Sequence, residues 1–346
     1  MKSAFLIAFF FIFSSVMAQE ESDFVYVKLL PKLGEGPFMM SFSRINPNQK
    51  GDHPFQAGYP DPLDYQGEME GFEEYLLIPN GVQYSFLNFK KGLTEESSWN
   101  SVLGMYGKDA SVVNEITDKD HRFFVRIAVK KITEEAMQIW VDQNANDLVE
   151  ASEIYHYEKN PEDTWETGIA RFPIIPVSYE DVINGEIGTI ELPLQLAPFM
   201  SPGNILYAIK SFNQGVLDDG KGNLSEIFLS NSFTSSFYVN SNVKVFRAEE
   251  GEDWSASNAF DREFLEFGEA IFLGGEKYLI HDVNKWGTEL VIRKLGENEE
   301  WIGTQKGAKA PAIVSKTLNE EPYDLYNGKV TLLDFWGSWC GPCVAE

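Results

Sequence analysis

VTLLDFWGSWCGPC, residues 330–343, carries both cysteines of the chain, Cys340 and Cys343, at the two ends of a C-x-x-C. The apolar run that leads into it reads as a buried strand, and the motif then opens a helix. Closing so short a loop removes little chain entropy from the unfolded state, so the pair is a poor structural staple and is expected to be reactive. A cysteine in the first turn of a helix faces unpaired backbone N–H groups and the positive end of the helix dipole, which favour thiolate over thiol; Cys340 takes that place. Pro342 fits an early helical position, where its missing N–H has no partner to lose. Cys343 follows on the same helical face, placed to attack a mixed disulfide. Asp334 puts a carboxylate inside the apolar strand, which is costly to bury, so it is either functional or turned to solvent.

Upstream, GTQKGAKAPA (residues 303–312) loses all strand patterning and marks the best domain boundary. Before it the fold class reads as mainly β, a β-sandwich-like region. RFFVRIAVKKI, AMQIWV, TIELPLQL, NILYAIKSF, SEIFLS, SSFYVNSNVKVF, AIFLGGEKYLIHDV and TELVIRKL alternate apolar with polar residues and are joined by turns such as LDDGKGN and NKWG. These strands fill a β-rich region over 104–305. Residues 19–103 are rich in Pro, Gly and aromatics, with one strand-like run, VQYSFLNF, and are expected to belong to the same β region. The acidic stretch 248–270 is expected to be a solvated loop with a helical turn.

Residues 1–18 have a positive start, an apolar run from Ala4 to Phe13 and a small-residue exit at Ala18, the marks of a secretory signal cleaved near that residue. Ser14, Ser15 and Gln19 interrupt the run too soon for a membrane span. The mature protein is therefore expected in the periplasm or secreted, without stable membrane insertion. A net charge of -25 argues against nucleic acid and anionic membrane surfaces as partners.

The residues around the cysteines resemble the active-site segment of the thioredoxin superfamily, in which a strand delivers W-C-G-P-C to a helix. Gly307, Ala310 and Pro311 ahead of the motif, and Glu346 after it, resemble the TlpA/ResA branch of exported thiol-disulfide oxidoreductases. The resemblance covers the chain from about residue 308 onward. It implies an α/β thioredoxin-like segment at 306–346, with Cys340 as attacking nucleophile and Cys343 as resolving thiol. It further implies Asp334 as the carboxylate assisting proton transfer, and Trp339 as the aromatic beside the site. Gly-Pro between the cysteines resembles the reducing members, which implies disulfide-containing protein substrates, a membrane electron donor and no cofactor for the dithiol chemistry. The segment supplies only the opening of that fold, so the sequence is expected to be a truncated piece, inactive by itself. The alternative is a secreted β-rich binding or scaffold protein with a minor thioredoxin appendage. A zinc site is disfavoured because His53, His121, His156 and His281 are scattered upstream and no second C-x-x-C exists. A peroxiredoxin is disfavoured because its P-x-x-x-T-x-x-C pattern is missing.

A second motif, IWVDQNANDLVEASEI, spaces Asp142, Asn144, Asn146, Glu150 and Glu153 like the oxygen ligands of an EF-hand-type calcium loop. Asp147 stands where the turn glycine should be, so any calcium is expected to bind weakly. The bland alternative is a polar hairpin turn.

Overall fold

A computed structural model describes residues 23–340 apart from 40, 50–55, 66–68, 106–114, 202–203, 232, 234, 240–241, 250–251, 253–261, 304, 318 and 325–336. The chain divides into two compact units, residues 1–296 and 297–346. The first is mostly β. Its strands are β1 Phe24–Leu33, β2 Ser43–Arg44, β3 Asn46–Pro47, β4 Glu73–Leu77, β5 Val125–Lys131, β6 Ala136–Val141, β7 Ile154–Glu158 and β8 Ile174–Ile183. There follow β9 Glu186–Ser201, β10 Asn204–Ile209, β11 Ser211–Asp218, β12 Leu224–Ser230, β13 Lys244–Glu249, β14 Ala270–Leu273, β15 Glu276–Val283 and β16 Glu289–Lys294. The described helices are α1 Gly81–Lys90, α2 Glu96–Met105 and α3 Trp165–Ala170.

Two antiparallel sheets, ordered β3-β4-β5-β6-β7 and β2-β10-β9-β8, share one core. Ile127 and Val129 of β5 and Ile139 of β6 meet Val177 and Tyr179 of β8 and Leu194 of β9 there. The chain crosses from one sheet to the other at buried Ile45, between β2 and β3. β5 is buried on both faces as far as Val129: Ala128, on the face away from that core, packs with Trp140, Met69 and Phe72.

The remaining strands make a seven-stranded sheet, β13-β12-β11-β1-β16-β15-β14. β1 divides its partners, pairing with β16 over Phe24–Lys28 and with β11 over Leu29–Leu33. A strand that changes partner along its length makes the sheet coil, and this one curls until its edges approach. Arg247 of β13 donates to the Phe272 carbonyl of β14 at 2.8 Å. Val27, Leu29, Ile227, Leu229, Val245 and Ile292, from four of the strands, help to fill the curl. In the β15–β16 turn Gly287 has φ 64, and a Cβ there would lie 2.5 Å from Asn213 Nδ2 and 2.8 Å from the Tyr238 ring, so glycine alone fits.

Two expectations are corrected. VQYSFLNF is α1, not a strand: Asn80 caps it by accepting from Gln83 N at 3.0 Å, and two faces are buried. Val82 packs in one cluster with Phe86 and Phe89, and Tyr84 and Leu87 in another. Apolar residues on both helical faces counterfeit the alternation of a strand. SSFYVNSNVKVF is a strand only from Lys244; before it, Ser236 N bonds the Pro79 carbonyl at 3.1 Å and Tyr238 N the Lys285 carbonyl at 2.8 Å. The signal segment and about half of the acidic stretch, residues 250–251 and 253–261, lie outside the described residues.

In the second unit, strands β17 Val314–Lys316 and β18 Pro322–Asp324 form a hairpin. The glycine-rich stretch expected to be a boundary is folded there against buried Trp301. Lys309 N donates to the Trp301 carbonyl at 2.7 Å and Gly303 N to the Lys309 carbonyl at 3.0 Å, with Gly307 at φ 93 turning the loop.

Candidate redox site

Cys340 closes a tight turn by donating its N–H to the Gly337 carbonyl at 3.0 Å. It is disulfide-bonded and half-buried, and the chain contains one other cysteine. Trp339, beside it in the turn, is 89% exposed. A disulfide partly open to water is one that an attacking thiolate can reach. Asp334, Pro342 and Cys343 lie outside the described residues.

The acidic loop after β6 makes its sharp turn without glycine, since Asp147 and Ala145 adopt φ of 58 and 59. Fully buried Asp142 accepts from Asn146 N at 3.1 Å and Asp147 N at 3.2 Å, and pairs with the Arg122 guanidinium. Asn144 accepts from Asn146 N at 3.1 Å, and Asn146 Nδ2 donates to Glu150 at 3.3 Å. Buried Glu153 accepts from Trp140 Nε1 at 3.1 Å and Gln143 N at 3.0 Å. Burial holds its carboxyl above the usual carboxylate range, and the two donors pull it back. The loop therefore turns Asp142 and Glu153 inward and leaves Asn144, Asn146 and Glu150 exposed. Among the described residues no group of three or more His, Cys, Asp or Glu side chains is placed to hold a metal ion. The cation beside Asp142 is Arg122, which calcium must displace. Melting in calcium and in chelator is expected to differ by less than about 2 °C. A larger calcium-dependent rise that Asp142→Ala removes would show a bound ion.

Two buried polar networks escaped the sequence reading. In β5, Arg126 pairs with buried Glu74 of β4, which also receives the Asn48 amide and the Tyr65 hydroxyl. Arg126 Nε reaches Asp147 at 2.8 Å, and the Phe124 ring lies under both guanidinium groups, 5.1 Å from Arg122 and 5.3 Å from Arg126. Arg122, Phe124 and Arg126 share one face of an extended segment by simple alternation, a signal visible in RFFVR. In the second network Lys285 Nζ donates to Asp181 Oδ1 at 3.0 Å, the Val182 carbonyl at 3.0 Å and the Glu115 carbonyl at 3.2 Å. Asp181 also accepts from Asn80 Nδ2 at 2.9 Å, Val182 N at 2.7 Å and Tyr179 Oη at 3.3 Å. Both side chains are 0% exposed, which fits a structural pair with no route for substrate.

Short matches to known proteins support a thioredoxin-like region in this chain. The "Thioredoxin-like protein YneN" of Bacillus subtilis (strain 168) is 45% identical over 47 residues, 13% of this chain and 28% of that protein. The "Thiol:disulfide interchange protein HelX" of Rhodobacter capsulatus is 46% identical over 44 residues, 12% of this chain and 25% of HelX. The chain thus spans about a quarter of the length of the curated relatives it matches. No protein-family model and no solved structure matches it.

Proposed function

We propose that the protein is an exported thiol-disulfide oxidoreductase of the TlpA/ResA type, acting as a reductase, with a β-sandwich-like unit ahead of its redox segment. The observation that carries this reading is the half-buried disulfide at Cys340, in a chain whose other cysteine lies three residues on. The names of YneN and HelX support the same chemistry. In the reduced protein the Cys340 thiolate attacks a substrate disulfide, forming a mixed disulfide and expelling one substrate thiolate. The Cys343 thiolate then attacks Cys340 Sγ, forming the intramolecular disulfide and releasing the second substrate thiolate. Two electrons pass to the substrate. A dithiol donor at the membrane returns them by the reverse exchange. Asp334 takes the Cys343 proton, Pro342 holds the first helical turn, and Trp339 borders the approach to Cys340. Export follows cleavage near Ala18, and calcium, if held by the Asp142–Glu153 loop, serves the β unit and not the dithiol.

Insulin reduction by dithiothreitol tests the activity, and limiting alkylation of the reduced full-length protein at neutral pH tests the roles. Accelerated insulin reduction and preferential labelling of Cys340 are expected. No acceleration by the full-length protein, or preference for Cys343, would overturn the assignment.

A further inference from the structure

We propose that the β unit binds a small carboxylate carried on an apolar body, in the cavity where the chain crosses between the two sheets that share one core. This reading is independent of the dithiol. The cavity holds about 430 Å³, a size usual for small-molecule sites. One wall is the crossover itself: Arg44 pairs with Leu206 of β10, Asn46 pairs with Leu76 of β4, and Ile45 between them is buried. The end of β4, Ser85 of α1 and Val102 of α2 contribute the other walls. Leu77 and Phe237, both buried, make much of the lining apolar. Its charge is opposite to that of the chain. The sequence holds 53 acidic residues against 28 Lys and Arg, yet among the described residues no Asp or Glu lines the cavity, and Arg44 is its one basic side chain. Arg44 is exposed and makes no hydrogen bond or ion pair among the described residues. Its charge is felt at Tyr75, whose hydroxyl is pushed up by burial and by Glu73 and pulled down by Arg44, and Glu73 does not line the cavity. A guanidinium offers paired N–H donors that match the two oxygens of a carboxylate. A neutral ligand would leave that cation unused, and a polyanion would bring charge that nothing else in the lining meets. One carboxylate at Arg44, with its apolar body against the Leu77 and Phe237 side of the lining, satisfies both parts of the cavity.

The test titrates octanoate, octanamide and acetate into the full-length protein by calorimetry, as wild type, Arg44→Gln and Ser85→Phe. Octanoate carries both the charge and the apolar body, octanamide keeps only the body, and acetate keeps only the charge. One octanoate per chain is expected to bind with a Kd of about 1 mM or tighter, and the other two probes at least about tenfold more weakly. Arg44→Gln is expected to weaken octanoate about tenfold or more and to leave the melting temperature of the free protein unchanged, because the side chain is exposed and unpaired. Ser85→Phe fills the cavity from α1 and is expected to weaken octanoate by a similar factor. Should Ser85→Phe fail to fold, the exposed Arg44→Gln decides. No binding of octanoate to the wild type would overturn the proposal. Equal affinity for octanoate and octanamide would do the same by showing an apolar pocket indifferent to charge. Octanoate affinity unchanged in Arg44→Gln or in folded Ser85→Phe, or several octanoates bound per chain in every variant, would place the ligand elsewhere and overturn it too.

Discussion

Cys340→Ser is expected to lower the disulfide-exchange rate of the full-length protein by roughly a thousandfold or more, because a neutral hydroxyl cannot replace a thiolate as nucleophile at neutral pH. The same change at Cys343 is expected to behave differently. Cys340 would still attack, but nothing would then resolve the mixed disulfide, so a covalent adduct with the substrate should accumulate and be seen as added mass. The two variants together separate attack from resolution. An adduct on the Cys340→Ser variant instead would mean that Cys343 makes the first attack, and equal loss in both without any adduct would mean that neither cysteine does.

Asp181→Ala is expected to destabilise the β unit by about 3–5 kcal/mol, the usual cost of leaving a buried charge without its partner. The ammonium of Lys285 spends its donors on Asp181, Val182 and Glu115, and its burial keeps bulk solvent from taking the place of the lost carboxylate. The loss also spreads, since Asp181 orients Asn80, which caps α1 through Gln83. Total stabilities are of order 5–15 kcal/mol, so one substitution would remove a large share. Urea unfolding followed by far-UV circular dichroism measures it. Asp181→Leu combined with Lys285→Met removes both charges and should recover part of the loss. A single variant within about 1 kcal/mol of wild type would show that water or a neighbour compensates the lysine.

How far the sequence discloses this molecule depends on whether the information is local. β6 was legible to the residue, because AMQIWV alternates and is bounded by polar turns. β12 and β16 were legible for the same reason. β1 was not, although FVYVKLLPKL alternates too, because Pro31 and the aromatic-rich surroundings mask a strand whose partners lie far along the chain. α1 was misread because it buries two faces. NKWG was recognised as a turn, yet nothing in a polar turn announces that its lysine is 1% exposed and ion-paired to a residue on β8. At Cys340 the C-x-x-C spacing carried the expectation of dithiol exchange without help from the fold.

The divided pairing of β1 sets a clock on maturation. Phe24 is held by Arg293, so the curled sheet joins nearly the first described residue of the unit to nearly its last. Contacts so distant in sequence carry a large loop-closure entropy and form slowly. A chain that emerges N-terminus first must hold Phe24–Lys28 unsatisfied until Glu289–Arg293 arrive, and only afterwards does Cys340 follow. Cys340 is thus synthesised only after the segment that completes the pairing of β1.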